Sequence, residues 1–159
     1  MSVTHNTPQV KDAYRKLEKK FAFATRKAAS RGGRVLRDSI REFVPPPRGA
    51  GAFPGYAAKG TLRRAIVDTE PTNRPTAKDW QVSVLVNQSS PARVYARIHN
   101  VGGVIVPKRA KMLRFVVNGQ VVFAHKVRIR RKNYMANGVR LARERMKPAI
   151  RDAFIQELR

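Results

Sequence analysis

Six apolar residues near the start of the chain, Val10, Tyr14, Leu17, Phe21, Ala24 and Ala28, recur at steps of three and four. That spacing returns each side chain to one side of a 3.6-residue turn, so it predicts a helix with a single apolar face. Lys11, Arg15, Lys16, Lys19, Lys20 and Arg26 fall on its other faces. Gly32 and Gly33 interrupt the pattern. A glycine costs a helix about 1 kcal/mol relative to alanine, so a kink or break is expected there. The period resumes with Leu36, Ile40 and Phe43, then stops at Pro45, Pro46 and Pro47, which lack amide donors and force extended backbone. The expectation is an N-terminal helix over 9–44. At the other end Val139, Leu141, Met146, Ile150, Phe154, Ile155 and Leu158 predict a second amphipathic helix over 134–158, with Pro148 placed to bend or divide it.

Between the two helices the period changes. Residues 45–60 hold too many prolines and glycines for regular structure and read as a loop. Thr61 caps a short turn through Ile66, from which a strand is expected to continue. Trp80, Val82, Val84 and Val86 alternate with Gln81, Ser83 and Leu85, as in a strand with one buried face. Val94, Tyr95, Ile98 and Val101 return to helical spacing, which predicts a short helix over 91–101. Asn118-Gly119 sits between two alternating runs and is the strongest short hairpin signal a sequence carries. On the run that follows, the two-residue period places Val121, Phe123, Val127 and Ile129 on a core face and Lys126, Arg128 and Arg130 on a cationic one. The expected fold is α+β: one domain over 1–159, with an antiparallel sheet of about four strands across 61–132, packed against the long N- and C-terminal helices.

Charge limits the partners. The chain has 159 residues, 34 Lys plus Arg against 10 Asp plus Glu, and a formal net charge of +24. A field of that sign attracts phosphate backbones without regard to base sequence, because each neutralised phosphate releases a counterion. Acidic proteins and anionic surfaces are attracted as well. With no cysteine there is no disulfide framework and no thiolate chemistry. The polar stretch Met1–Val10 lacks a signal core and no apolar run reaches the roughly 18 residues of a membrane span, so neither secretion nor a membrane is expected.

Catalytic and cofactor chemistry finds no support, and an enzyme is not expected. His5, His99 and His125 stand apart, none with a second ligand at metal-binding spacing. His125 falls on the apolar face of its strand and reads as a core histidine, and His99 as a loop or interface residue. No strand leads into the glycines between Gly49 and Gly60, and Thr61 stands where a phosphate-binding lysine belongs. Asp68 and Glu70 are a close acidic pair that a metal-dependent nuclease could use, more often solvated than catalytic. Nothing local nominates Ser83, Ser89 or Ser90 as a nucleophile. No metal, cofactor or catalytic residue is therefore assigned.

Two basic clusters remain: Lys108, Arg109, Lys111 and Arg114, and, along the hairpin's exit, Lys126, Arg128, Arg130, Arg131 and Lys132. The second is the candidate DNA-facing set. Phe115 and Phe123 alternate like core residues, so no aromatic platform for reading bases is expected and binding should address the backbone.

The run from Val94 through His99-Asn100-Val101-Gly102-Gly103 to Arg114-Phe115, continuing through Gly119, Val122-Phe123-Ala124-His125-Lys126-Val127 and the last helix, resembles the neck and tail-completion proteins of long-tailed bacteriophages. They are similar in role to the minor tail protein Z of lambda. The likeness spans roughly Gly60 to the end. Where family members usually carry an acidic-aromatic pair before the glycines and an arginine-proline-aromatic run before the last helix, this chain has Asn100-Val101 and Asn133-Tyr134-Met135. The resemblance implies a virion protein assembled in the host cytoplasm, forming a six-fold or twelve-fold homo-oligomeric ring at the head-tail junction. Double-stranded DNA would pass through its centre, and adjacent connector and tail proteins would be its partners.

Two segments are long for loops in a compact domain and are expected to contact neighbouring subunits. Pro45, Pro46, Pro47, Gly49 and Phe53 represent the first; Gly102, Gly103, Val104, Lys108, Arg109 and Lys111 represent the second. A basic cellular nucleic-acid-binding protein of ribosomal or nucleoid type is the alternative expectation.

Overall fold

The computed structural model describes residues 7–44, 61–73, 79–117 and 120–159. In chain order these form α1 (Thr7–Phe43), α2 (Thr61–Ala65), β1 (Ile66–Asp68), β2 (Thr72–Asn73), β3 (Trp80–Gln81), β4 (Val84–Val86), α3 (Arg93–Val101), β5 (Gly103–Ile105), β6 (Leu113–Val117), β7 (Gln120–Ala124), β8 (Val127–Ile129) and α4 (Tyr134–Leu158). The loop expected over 45–60, with Pro45, Pro46, Pro47, Gly49 and Phe53, and the Asn118-Gly119 dipeptide lie outside the described residues.

α1 is not broken at Gly32 and Gly33; it runs through them as one helix of 37 residues. The glycines are sites of close approach. A Cβ on Gly32 would stand 3.0 Å from Cδ1 of Ile150 on α4, and one on Gly33 would stand 2.3 Å from Cγ1 of Val82. Packing across the missing side chains offsets the poor helix propensity. α4 likewise runs on past Pro148, which is exposed, so water can serve the carbonyl that the proline ring leaves without a donor.

The two long helices lie antiparallel. The backbones nearly touch at Gly138, where a Cβ would be 2.4 Å from Cα of Ile40. Further along, the rings of Phe21 and Phe154 stand 6.0 Å apart, and Lys20 Nζ donates to the carbonyl of Leu158 at 2.7 Å. α4 ends there. At 1.5 Å per residue α1 is about 55 Å long and α4 about 37 Å. The first turns of α1 therefore outrun their partner. The predicted apolar face divides accordingly: Ala24 and Ala28 are buried, whereas Val10, Tyr14 and Leu17 are exposed.

The core gathers at the opposite end, where Ile40 of α1 and Val44 just beyond it meet Leu62, Ala65, Ile66, Ala92, Ala96 and Tyr134, with Leu36, Val84, Val86, Tyr95 and Met135 packed around them. Helix and strand are mixed as expected, but among the described residues the strands form no four-stranded sheet. They pair as four antiparallel two-stranded ladders, β1 with β4, β2 with β3, β5 with β8 and β6 with β7.

The single strand expected over Trp80–Val86 is split. Asp68 pairs with Val84 and Thr72 with Gln81, so Thr69, Glu70 and Pro71 oppose only Val82 and Ser83. This is a bulge. The Thr69 amide donates to the Ser83 carbonyl at 2.8 Å, and the Ser83 amide donates to Thr69 Oγ1 at 3.0 Å. Pro71 has no amide to offer a ladder, which accounts for the interruption beside it.

The run after the hairpin is divided too. β7 ends at Ala124 and β8 begins at Val127 in a different ladder. The intervening His125 and Lys126 reverse which parity faces inward. In β7 Val122 and Ala124 are half-buried while Val121 and Phe123 are exposed; in β8 Val127 and Ile129 are half-buried and Arg128 is exposed. The expected face is thus right for β8 and inverted for β7. His125 stands exposed at the crossover and is not a core residue. Nor do Phe115 and Phe123 share a core face, since Phe115 pairs with Val122 and Phe123 with Arg114.

Candidate nucleic-acid interface

α3 begins the segment that carries the candidate cations, and its C-terminus organises their setting. Gly102 ends the helix with φ 77°, and its amide donates to the Ile98 carbonyl. A side chain there would meet the Arg131 amide nitrogen at 2.9 Å and the Ile129 carbonyl at 3.1 Å. Only glycine suits both the positive φ and the approach. The amides of Lys132 and Asn133 then donate to the carbonyls of His99 and Asn100, at 3.1 and 2.9 Å. The exit of β8 in this way satisfies two of the orphan acceptors of α3.

The start of α4 is tied to the same turn. Asn133 has φ 52° and makes no side-chain cap. Asn100 takes over that role from a distance, its Oδ1 accepting the Met135 amide at 3.1 Å. Tyr134, 1% exposed, donates its hydroxyl to the Ala96 carbonyl at 3.1 Å, and burial raises its pKa above the usual phenol value. Asn100-Val101 and Asn133-Tyr134-Met135, far apart in the sequence, are therefore joined in space.

From this anchored turn the chain projects cations. β5 pairs with β8 so that Val104 is opposite Arg128, Gly103 opposite Ile129 and Ile105 opposite Val127. Gly103 and Val104 thus belong to a strand and not to the loop expected from the sequence, while Gly102 is a structural turn. Lys108, Arg109 and Lys111 are exposed in the connection to β6. Lys126, Arg128, Arg130, Arg131 and Lys132 are all exposed along β8 and its exit. Arg131 donates to Asn133 Oδ1 at 3.1 Å.

One signal escaped the residue-by-residue reading. Between Asp79 and Glu144 the chain contains thirteen Lys and Arg and no acidic residue. Besides the two clusters these include Arg93, Arg97, Arg140 and Arg143. All thirteen are exposed, and among the described residues none joins an ion pair. The arginines that do pair belong to α1 and α4. A running count of acids along the sequence would have shown this asymmetry.

Several acids near the long helices have structural partners instead. Asp68 accepts Arg37 Nη1 at 2.7 Å and Glu70 lies 3.9 Å from Arg26, so the suspected metal pair faces two arginines of α1. Asp38 is held below the usual carboxylate range by hydrogen bonds from Arg37, against an opposing effect of desolvation. Arg41 donates Nη2 to the Ile66 carbonyl at 2.7 Å, and desolvation, with Arg37 close by, lowers its pKa. An open depression of about 560 Å³ is lined by Asp38, Arg41, Glu42, Arg63 and Arg64. Its mixed charges are largely committed to one another, to Ile66 and, through Glu42, to Arg145. Among the described residues no three His, Cys, Asp or Glu are grouped to hold a metal, and no helix is long and apolar enough to cross a membrane.

His99 lies edge-on to Tyr95, ring centroids 5.7 Å apart, within α3. It is part of the helix that carries the turn. Comparison with known proteins finds no match for this chain among family models, curated proteins or solved structures.

Proposed function

We propose that the chain is a structural component of a phage head-tail connector, of the neck or tail-completion kind. In this reading it forms a homo-oligomeric ring that joins head to tail at the virion's head-tail junction and lets double-stranded DNA pass. The observation that carries the reading is the acid-free span from residue 80 to 143, whose cations are exposed and, among the described residues, without ion-pair partners, while Asp38, Glu42, Asp68 and Glu70 face arginines of the long helices. An uncompensated set of surface cations contacts the phosphate backbone through charge alone and leaves base sequence unread. A closed ring multiplies that field around its axis. Arg128, Arg130 and Arg131, fixed by the turn between α3 and α4, line or approach the channel, and the likeness of residues 94–127 to neck proteins supplies the setting.

A basic cellular nucleic-acid-binding protein would use the same cations, and the two readings part on location and assembly. Electron microscopy of purified protein is expected to show closed rings, and labelling of virions to place the protein at the portal vertex. Its presence elsewhere in the particle, or normal yields of infectious particles without it, would refute the connector reading. Tight, steeply salt-dependent duplex binding by a protein that forms no rings would favour the cellular one.

A further inference from the structure

β7 leaves one edge open among the described residues, since β6 lies along its other edge and no further strand joins the ladder. The register pairs Val117 with Gln120, Phe115 with Val122 and Leu113 with Ala124. In a two-residue hairpin these are the pairs that exchange hydrogen bonds, so Val121 and Phe123 turn their N–H and C=O groups away from β6. Their side chains are 46% and 60% exposed.

Proteins shield an open edge with charge, proline, a bulge or a covering element. β7 reads Gln-Val-Val-Phe-Ala and has no charge and no proline. On a molecule of net charge +24, an uncharged apolar edge is where two copies can approach without repulsion. β6 carries Arg114 and β8 carries Arg128.

We propose that β7 is an interface strand, whose open edge pairs antiparallel with β7 of a second copy to join two hairpins into one four-stranded sheet. Centred on Val122, this pairing sets Val121 opposite the partner's Phe123 and Phe123 opposite the partner's Val121. The outward amides and carbonyls of those residues meet as two hydrogen-bonded pairs, giving four main-chain bonds. No ionisable side chain lies on either central strand. The two copies of Arg114 end three strand spacings apart, about 14 Å, beyond the Debye length of about 8 Å at physiological salt. Pairing β7 with the partner's β6 would instead put the partner's Arg114 on one of the two central strands and shorten the separation of the two copies to about 10 Å, so the β7–β7 mode is the one with less repulsion. Two five-residue strands bury less than the roughly 1,200 Å² of a standard interface, so the dimer is concentration-dependent. The proposal does not rest on the connector reading and holds for a nucleic-acid binder equally.

Sedimentation velocity on the full chain, across a concentration series in high salt, tests it. Wild type is expected to shift toward dimer as concentration rises. Val121→Pro removes an outward amide that β6 does not use, and it should weaken association at least tenfold with the urea midpoint unchanged. Val121→Lys, which retains the amide but adds charge, should do the same and covers the case in which the proline variant fails to fold. Arg114→Pro blocks the outer edge of β6 and should dimerise like wild type. A wild-type chain that stays monomeric, Val121 variants that associate normally, or an Arg114→Pro variant as impaired as Val121→Pro would each overturn the proposal.

Discussion

Replacing Gly138 with alanine puts a methyl group where the backbones of α1 and α4 meet. Its Cβ would lie 2.4 Å from Cα, 2.6 Å from Cγ1 and 2.8 Å from N of Ile40, a residue 2% exposed. Ordinary contact begins near 3.4 Å, so the helices must separate by about 1 Å, and backbone atoms cannot rotate aside as a side chain can. Overpacking of this kind costs about 1–3 kcal/mol, and a backbone obstacle belongs at or beyond the upper end. Alanine returns about 1 kcal/mol through helix propensity. The net expectation is a loss of about 2 kcal/mol, read in urea unfolding as a midpoint about 1 M lower for an m-value near 2 kcal/mol/M.

Gly32→Ala supplies the internal comparison, because it has the same propensity gain in the same helix pair. Its Cβ would meet the Ile150 side chain, with Cδ1 at 3.0 Å and Cγ1 at 3.2 Å, and a side chain can turn about its own bonds by the few tenths of an ångström required where backbone cannot. It is expected to be neutral or to stabilise by up to about 1 kcal/mol. A Gly138→Ala midpoint equal to or above wild type would refute the close backbone crossing on which this reasoning depends.

Other outcomes follow from the same contacts. Asn100→Ala removes the acceptor for the Met135 amide and should destabilise by about 1 kcal/mol in urea titration, the usual scale for a lost helix cap; an unchanged midpoint would show that Asn100 does not cap α4. Hydrogen bonds from Arg37 depress the Asp38 pKa, so the folded state favours the carboxylate. Its contribution is present above the ordinary value near pH 4 and disappears as pH falls through the depressed folded value. Asp38→Asn should therefore flatten that part of the acid limb in urea midpoints measured from about pH 6 to about pH 3, and an identical limb would contradict the sign. Joint replacement of Arg128, Arg130 and Arg131 by alanine should lower the slope of log affinity against log salt for duplex DNA by about 2–3, equally for any base sequence. A slope that does not move would take these residues off the phosphate backbone.

The sequence by itself determined the elements whose signals are local. A 3.6-residue period holds wherever a helix is packed, so α1, α3 and α4 appear within a few residues of the expected bounds. The two alternating runs expected to pair as a hairpin are β6 and β7, which pair antiparallel with Val117 opposite Gln120. The cation surplus needs no fold to be counted. Only the tertiary structure decided what depends on a distant neighbour. Gly32 and Gly33 read as helix breakers until Ile150 and Val82 occupy the space beside them. The faces of β7 and the exposure of His125 turned on a parity reversal at residues 125–126, and a period of two says nothing about which side of a strand the rest of the chain will cover. Asn100 caps α4 across a sequence separation of 35 residues, which no local spacing encodes. Nor does local spacing say that strands will pair two by two, since pairing is a contest among distant segments for the same main-chain donors and acceptors, resolved only when packing brings one pair together first.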